Sequence, residues 1–162
     1  MSGRGESSPS PLQNLLLEEV AQLRGFLSLL EKEQQALTEG AIEPLLPLAA
    51  EKTEFFGRLA QLGEARGKAL AAAGFAANRQ GMESWLERHP EQDGAQRDWR
   101  NLLALAESAS KLNHTNGKLI ATRLASNQQA LSALMAAANQ ASLYGPDGQS
   151  QPIGSGRSLG SV

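Results

Sequence analysis

The sequence predicts an all-α protein, an elongated antiparallel three-helix bundle or coiled coil with a short connector helix and a disordered C-terminal tail. Leucines recur at alternating steps of three and four residues over long stretches, which is the spacing of one apolar helix face. Aromatic residues make up only 4% of a chain that is 41% apolar. A core built mainly from leucine and alanine favours long helices over a compact globule.

The first predicted helix runs roughly from Pro11 to Thr38, after a polar leader over residues 1–10 that we expect to be disordered. At 1.5 Å per residue it should extend about 40 Å. Gly40 ends it, because glycine adopts the left-handed conformation without steric cost. The apolar positions are Leu16, Val20, Leu23, Leu27, Leu30 and Leu37, with Gln34 filling the one gap.

The second predicted helix begins near Pro44, since proline is well tolerated in a first turn, and ends near Ala73 and Gly74. Its stripe consists of Leu45, Leu48, Lys52, Phe55, Leu59 and Leu62. A connector follows, in which residues 82–88 form a helix of one or two turns. His89-Pro90 and Asp93-Gly94 are expected to break it.

The third predicted helix is the longest, from about Asp98 to Leu143, or roughly 65 Å. Its apolar pattern comprises Leu105, Ala109, Leu112, Asn116, Ile120, Leu124, Asn127, Leu131, Leu134 and Ala138. Residues 11–143 would form one helical domain, and residues 144–162 a flexible tail too poor in apolar residues to order itself. A third helix longer than its partners would overhang them, and its apolar face would suit a binding partner.

Composition and charge exclude several classes of function. Fifteen basic and seventeen acidic residues are interspersed and leave a net charge of -2, so we expect no binding to nucleic acid or anionic lipid. The longest uncharged run, residues 124–146, contains serine, asparagine and glutamine, which disfavour stable membrane insertion. The N-terminus lacks the apolar stretch of a signal peptide, and cysteine is absent. These features agree with a reducing compartment and disfavour export through a signal peptide.

Catalytic machinery is not evident, and we predict no enzyme activity, no metal and no cofactor. Neither His89 nor His114 follows a glutamate at the Glu-x-x-His spacing of helical di-iron sites, because positions 86 and 111 hold leucine and lysine. Residues 156–160 match the Gly-x-Ser-x-Gly motif, but the strand and helix that it requires have no room here. We interpret that match as coincidence.

Three elements in the last third of the chain resemble the FlgN family of flagellar export chaperones. They are Leu112-Asn113-His114-Thr115-Asn116-Gly117 with Leu119-Ile120, then Asn127-Gln128-Gln129-Ala130-Leu131, and finally Leu143-Tyr144-Gly145-Pro146-Asp147-Gly148-Gln149. Both their order and their spacing match the family. The first hundred residues resemble it only in helical layout.

The resemblance implies a cytoplasmic type III export chaperone. Such a protein binds the C-terminal helices of the hook-filament junction proteins, also called hook-associated proteins, prevents their premature assembly and delivers them to the export gate. Carried over to this sequence, it implies that Leu131, Leu134 and Met135 bind cargo and that Tyr144 binds the cytoplasmic domain of the gate.

Helical spacing alone leaves other interpretations open. Leu131, Leu134 and Met135 fit the protein's own core equally well, and Tyr144 could cover the last turn of its helix. Asn113, Asn116 and Asn127 are more typical of residues that fix helix register. The alternative function is a structural or regulatory coiled-coil adaptor that self-associates through the third helix.

Overall fold

The computed structural model describes residues 8–143, with side chains through residue 139, and it confirms the all-α prediction. The described part contains four helices: α1 (Pro11–Glu39), α2 (Leu45–Ala72), α3 (Arg79–Arg88) and α4 (Asp93–Leu143). Contacts divide the chain into two units, which separate within α4 between Leu119 and Ile120. No helix of the described residues is both long and apolar enough to cross a membrane.

Helix α1 begins and ends where its sequence predicts. The side chain of Ser10 accepts a hydrogen bond from the Gln13 backbone N–H at 3.2 Å, and Pro11 occupies the first turn. At the other end, Gly40 is left-handed with φ 72°, and the Ala41 N–H donates to the Ala36 carbonyl at 2.9 Å. These caps satisfy backbone groups that a helix end leaves without partners.

Helices α1 and α2 form an antiparallel pair. Contacts pair early residues of one helix with late residues of the other: Glu33 with Lys52, Phe26 with Phe55, and Glu19 with Arg66. Helix α1 is the more deeply buried of the two. Of the predicted positions Leu27 and Gln34 are half-buried and the others are buried. Helix α1 also buries Leu12, Glu19, Phe26, Leu29, Glu33 and Ala36, whereas α2 fully buries only Leu70. A single-stripe pattern missed these residues because α1 is covered on more than one side.

Helix α3 anchors the connector on the core through its apolar face. Met82, Trp85 and Leu86 are buried and belong to the same cluster as the leucines of α1. Asn78 caps the helix by accepting from the Gly81 N–H at 2.8 Å. Trp85 therefore holds the connector against the core.

Helix α4 begins at Asp93, five residues before the predicted start, so Asp93-Gly94 does not break the chain there. An aspartate is favourable in a first turn because its charge faces the positive end of the helix dipole. At the next position, an added Cβ on Gly94 would meet the end of the Gln13 side chain, so the two residues lie close together. This contact near the start of α1, and the hydrogen bond from Asn116 to Leu30, show that α4 runs parallel to α1.

The first unit buries α4 on a face that repeats every seven residues. Ala95, Leu102, Ala109 and Asn116 are all buried, and Trp99 lies beside them. We call the first four residues the buried seam. The second unit begins at Ile120, and all side chains described there, from residue 120 to residue 139, are exposed.

Candidate interaction surface

The second unit carries the largest set of exposed apolar side chains in the described structure. Their exposed fractions lie between 45% and 68%. The members are Ile120, Leu124, Leu131, Leu134 and Met135, which we call the α4 stripe. Exposed apolar side chains this closely spaced on one helix are typical of a surface that another protein covers.

The surroundings of the α4 stripe carry almost no charge. Between residues 124 and 139 the chain contains no Asp, Glu, Lys or Arg, and seven of residues 120–139 are alanine. Alanine side chains let a neighbouring helix approach closely, at the short end of the usual 8–10 Å between helix axes. The segment therefore offers apolar area and close packing to a partner, and few electrostatic contacts.

The three residues predicted to bind cargo lie together on the α4 stripe. Leu131, Leu134 and Met135 are all exposed within their unit, so the alternative interpretation as core residues does not describe their environment. Tyr144, the predicted gate-binding residue, lies outside the described residues. So do the predicted flexible tail and most of the predicted leader.

A buried polar cluster joins three helices at the end of the buried seam. The Asn116 side-chain amide, fully buried, donates to the Leu30 carbonyl oxygen at 2.9 Å and to Glu33 Oε1 at 3.0 Å. Lys52 Nζ lies 3.2 Å from the same glutamate oxygen. We call Glu33, Lys52 and Asn116 the polar clasp. The sequence predicted that Asn116 fixes helix register. It did not predict that Glu33 and Lys52 would join it, because a single sequence carries no signal for pairs of residues far apart in the chain.

The turn between α1 and α2 presents a second apolar surface that sequence patterns did not identify. Ile42 is 68% exposed and Leu46 is 80% exposed. Beside them, an open hollow of about 350 Å³ is lined by Lys32, Gln35, Ala36, Glu39, Ala41, Pro44, Pro47 and Leu48. Lysine and glutamate both line it, so its charge selects no particular partner.

His89 packs against its own helix at the end of α3. His89 Nδ1 lies 2.7 Å from the Trp85 carbonyl oxygen, and its ring stacks on Trp85 with centroids 4.4 Å apart. These contacts assign His89 to the end of α3. Among residues 8–143, no three His, Asp or Glu side chains lie close enough to hold a metal ion.

The fold and the α4 stripe together define a protein of the all-α class whose longest helix carries an exposed apolar face. Comparison with known proteins identifies the family. Residues 8–152 match the sequence model of the FlgN protein family, and the chain therefore belongs to that family. Membership gives it a role connected with the flagellum.

A solved structure supports this assignment. The fold is similar to the crystal structure of a putative flagella synthesis protein FlgN from Pseudomonas aeruginosa, with a TM-score of 0.61 and 28% sequence identity. The similarity covers 70% of this chain and 88% of the other. A search of curated proteins gave no match.

Proposed function

We propose that the protein is a cytoplasmic export chaperone of the flagellar type III system. It binds the C-terminal helices of hook-filament junction proteins, prevents their premature assembly and delivers them to the export gate. The observation that carries the proposal is the α4 stripe, an exposed and uncharged apolar helix face in a member of the FlgN family.

Helix pairing supplies the physical mechanism. A cargo segment that later buries its apolar face in an assembled structure must keep that face covered beforehand, and a second helix with an exposed apolar stripe can cover it. Each large side chain buried in such a complex contributes about 1.5–3 kcal/mol. Met135 is flexible and polarisable, which suits a surface that accepts more than one cargo.

Calorimetric titration with a C-terminal peptide of a hook-filament junction protein tests the proposal. We expect the parent protein to bind and a Leu131→Ser, Leu134→Ser variant to lose at least tenfold in affinity, because two apolar side chains no longer reach the partner. Circular dichroism must show that the variant retains its helicity. No binding by the parent would contradict the proposal.

The control variant is Gln129→Ser, Ala136→Ser. It introduces the same number of serines into the same exposed helix. Positions 129 and 136 lie on the side of an ideal helix opposite the α4 stripe. We expect its affinity to match that of the parent. If both variants weaken binding equally, helix stability and not the α4 stripe determines affinity.

Self-association is the competing function, and mass measurement distinguishes it from cargo binding. Light scattering across a range of protein concentrations should give the mass of one chain when no peptide is present. With cargo peptide added, it should give the mass of a stable complex of the chain and the peptide. A dimer that persists on dilution and excludes the peptide would favour the adaptor.

Delivery to the gate is tested separately through Tyr144. The family resemblance implies that this tyrosine contacts the cytoplasmic domain of the gate. We therefore expect Tyr144→Ala to leave the affinity for the cargo peptide unchanged and to weaken binding to the gate domain. A Tyr144→Phe variant tests whether the ring or the hydroxyl is required. Equal loss of peptide binding and gate binding would instead assign the tyrosine to the fold.

A further inference from the structure

We propose that Asn127 determines which helices the α4 stripe accepts, because it requires an uncharged polar side chain opposite it on the cargo helix. The inference rests on the proposed function and adds to it the residue on which specificity depends. Three observations support it: the position of Asn127, the absence of charge around it, and the contacts that another asparagine of α4 makes in the first unit.

Asn127 lies inside the α4 stripe. On an ideal helix, residues seven apart differ in direction by only about 20°. Ile120, Asn127 and Leu134 follow one another at this spacing and therefore form one row of the stripe. Leu124 and Leu131 form the row beside it, and all five side chains are exposed in the second unit. A helix that covers the leucines must also cover Asn127.

Burial of the Asn127 amide is costly unless the amide is hydrogen-bonded. In the free protein its side chain is exposed and water can reach it, so the cost arises only when a cargo helix binds. A leucine opposite the amide would remove that water and replace none of its hydrogen bonds. An amide or hydroxyl group in the same place would replace them. Asn127 therefore discriminates between cargo helices of similar apolar area.

The required partner is uncharged because residues 124–139 contain no Asp, Glu, Lys or Arg. A charged group buried there would lose its hydration without gaining an opposite charge. The polar clasp differs in this respect, since Lys52 lies 3.2 Å from the Glu33 carboxylate. Arg123, one turn before Asn127, is exposed and takes part in an interaction of its own. Asparagine, glutamine, serine and threonine pair with an amide without a counter-charge.

Asn116 shows what an asparagine of α4 does when another helix covers it. Its buried amide donates to the Leu30 carbonyl oxygen at 2.9 Å and to Glu33 at 3.0 Å, and both acceptors belong to α1. A polar residue in a helix interface selects its partner in this way, at some cost in stability. Asn127 is expected to obtain its hydrogen bonds from the cargo helix as Asn116 obtains them from α1.

An Asn127→Leu variant tests the inference by titration with the C-terminal peptide of a hook-filament junction protein. We expect binding weaker than that of the parent by about fivefold or more, because the polar side chain of the cargo loses its partner. Leucine adds apolar area, so a stripe that recognised only apolar area would bind the peptide more tightly. A smaller loss, no change or a gain in affinity would overturn the inference.

Gln129→Leu is the matched control. It also replaces an exposed amide by leucine on the same helix, at a position about 160° around the helix from Asn127. Its affinity for the peptide should equal that of the parent. Circular dichroism must show retained helicity in both variants, and light scattering must give the mass of one chain. Equal weakening in the two variants would overturn the inference, because an added leucine and not a lost hydrogen bond would be the cause.

Peptides in which each Asn, Gln, Ser or Thr is replaced singly by leucine locate the partner of Asn127. At one position the parent should lose affinity and Asn127→Leu should regain it. The Kd ratio of the two peptides should then differ between the proteins by at least about tenfold, as for two side chains in contact. Self-association of the variant would weaken binding of all peptides alike and produce no such position.

Two results of this scan would overturn the inference and leave the proposed function intact. One is the absence of any position that is coupled to Asn127. The other is coupling to an Asp or Glu of the peptide, replaced by leucine in the same way, because the partner would then be charged. Failure of the parent to bind the unmodified peptide would instead contradict the proposed function itself.

Discussion

Gly81 occupies a position in α3 where a larger residue does not fit. A Cβ added there would overlap the carbonyl of Ala76, with the Ala76 carbonyl carbon only 2.6 Å away. The neighbours in conflict are backbone atoms, which cannot move as a flexible side chain can. Gly57 provides the opposite case, since a Cβ at that position in α2 meets nothing within 4 Å.

These two glycines give a matched prediction. Gly81→Ala should destabilise the protein by about 2 kcal/mol or more, through the steric conflict. Gly57→Ala should stabilise it by roughly 0.5–1 kcal/mol, because alanine is the better helix former. Urea unfolding followed by circular dichroism measures both. Similar effects in the two variants would show that helix propensity, and not the contact with Ala76, determines the outcome.

Asn116 is the residue on which the polar clasp depends. Its amide donates to Leu30 and Glu33, and an Asn116→Asp change keeps the shape while replacing the donor with a carboxylate. Two carboxylates would then face each other in a buried site. We expect a loss of about 3 kcal/mol or more in the free energy of unfolding.

Asn113→Asp serves as the control for that prediction. Asn113 is half-buried and three residues earlier in α4, so water still reaches the new charge. Its loss should stay below about 1 kcal/mol, as for most substitutions at positions open to solvent. Both values come from urea unfolding at neutral pH. Equal losses in the free energy of unfolding would mean that the hydrogen bonds of Asn116 to Leu30 and Glu33 do not contribute to stability as proposed.

At the scale of the helices, ion pairs between α1 and α2 differ greatly in environment from ion pairs within α2. Arg66 bonds Glu19 through two nitrogens, at 2.7 Å and 3.3 Å, and its guanidinium carbon lies 5.2 Å from the centre of the Trp99 ring. The side chain of Glu19 is only 6% exposed. Lys68 and Glu64, in contrast, form an exposed pair within one helix.

Removal of one cation from each pair should therefore have unequal effects. Arg66→Met leaves the buried Glu19 carboxylate without its partner, and we expect a cost of about 3 kcal/mol. Lys68→Met should cost no more than about 0.5 kcal/mol. Chemical unfolding measures the cost, and tryptophan fluorescence, to which Trp85 and Trp99 both contribute, should change when Trp99 loses the guanidinium. A small effect for Arg66→Met would show that water replaces the guanidinium.

The sequence predicted the helices much better than their partners. Proline and glycine at helix ends mark boundaries by local chemistry, so α1 and α2 begin and end within about two residues of the prediction. The early start of α4 was missed because Asp93-Gly94 is also a common turn pair. Glu19 and Glu33 were missed as buried residues because charge normally indicates exposure, and their partners lie 47 and 19 positions away.

The candidate site, unlike the helix boundaries, was not predicted from local chemistry. Leu131, Leu134 and Met135 were selected through a family resemblance, since their spacing alone fits a core equally well. The structure adds their exposure. The apolar surface at Ile42 and Leu46 had no comparable signal, because two exposed side chains beside prolines resemble any turn.

At the scale of the whole molecule, charge is distributed unevenly along the chain. Charged residues make up 20% of the sequence, yet none occurs between residues 124 and 139. The charges that the described structure pairs most tightly, such as Glu19 with Arg66, lie in the first unit. The free energy of unfolding of the first unit should therefore depend on salt concentration more strongly than the affinity of the second unit for cargo.

Cargo binding should be nearly independent of ionic strength for this reason. Between 50 and 500 mM sodium chloride the Debye length falls several-fold, and an interface held by charge would weaken strongly. An interface built on the α4 stripe should change in Kd by less than about twofold. It should also show a negative heat-capacity change, because apolar surface leaves water. Titrations at both salt concentrations and at several temperatures measure these quantities. Tenfold weaker binding at the higher salt concentration would mean that charged residues outside residues 124–139 hold the cargo, and that the α4 stripe is not the principal contact.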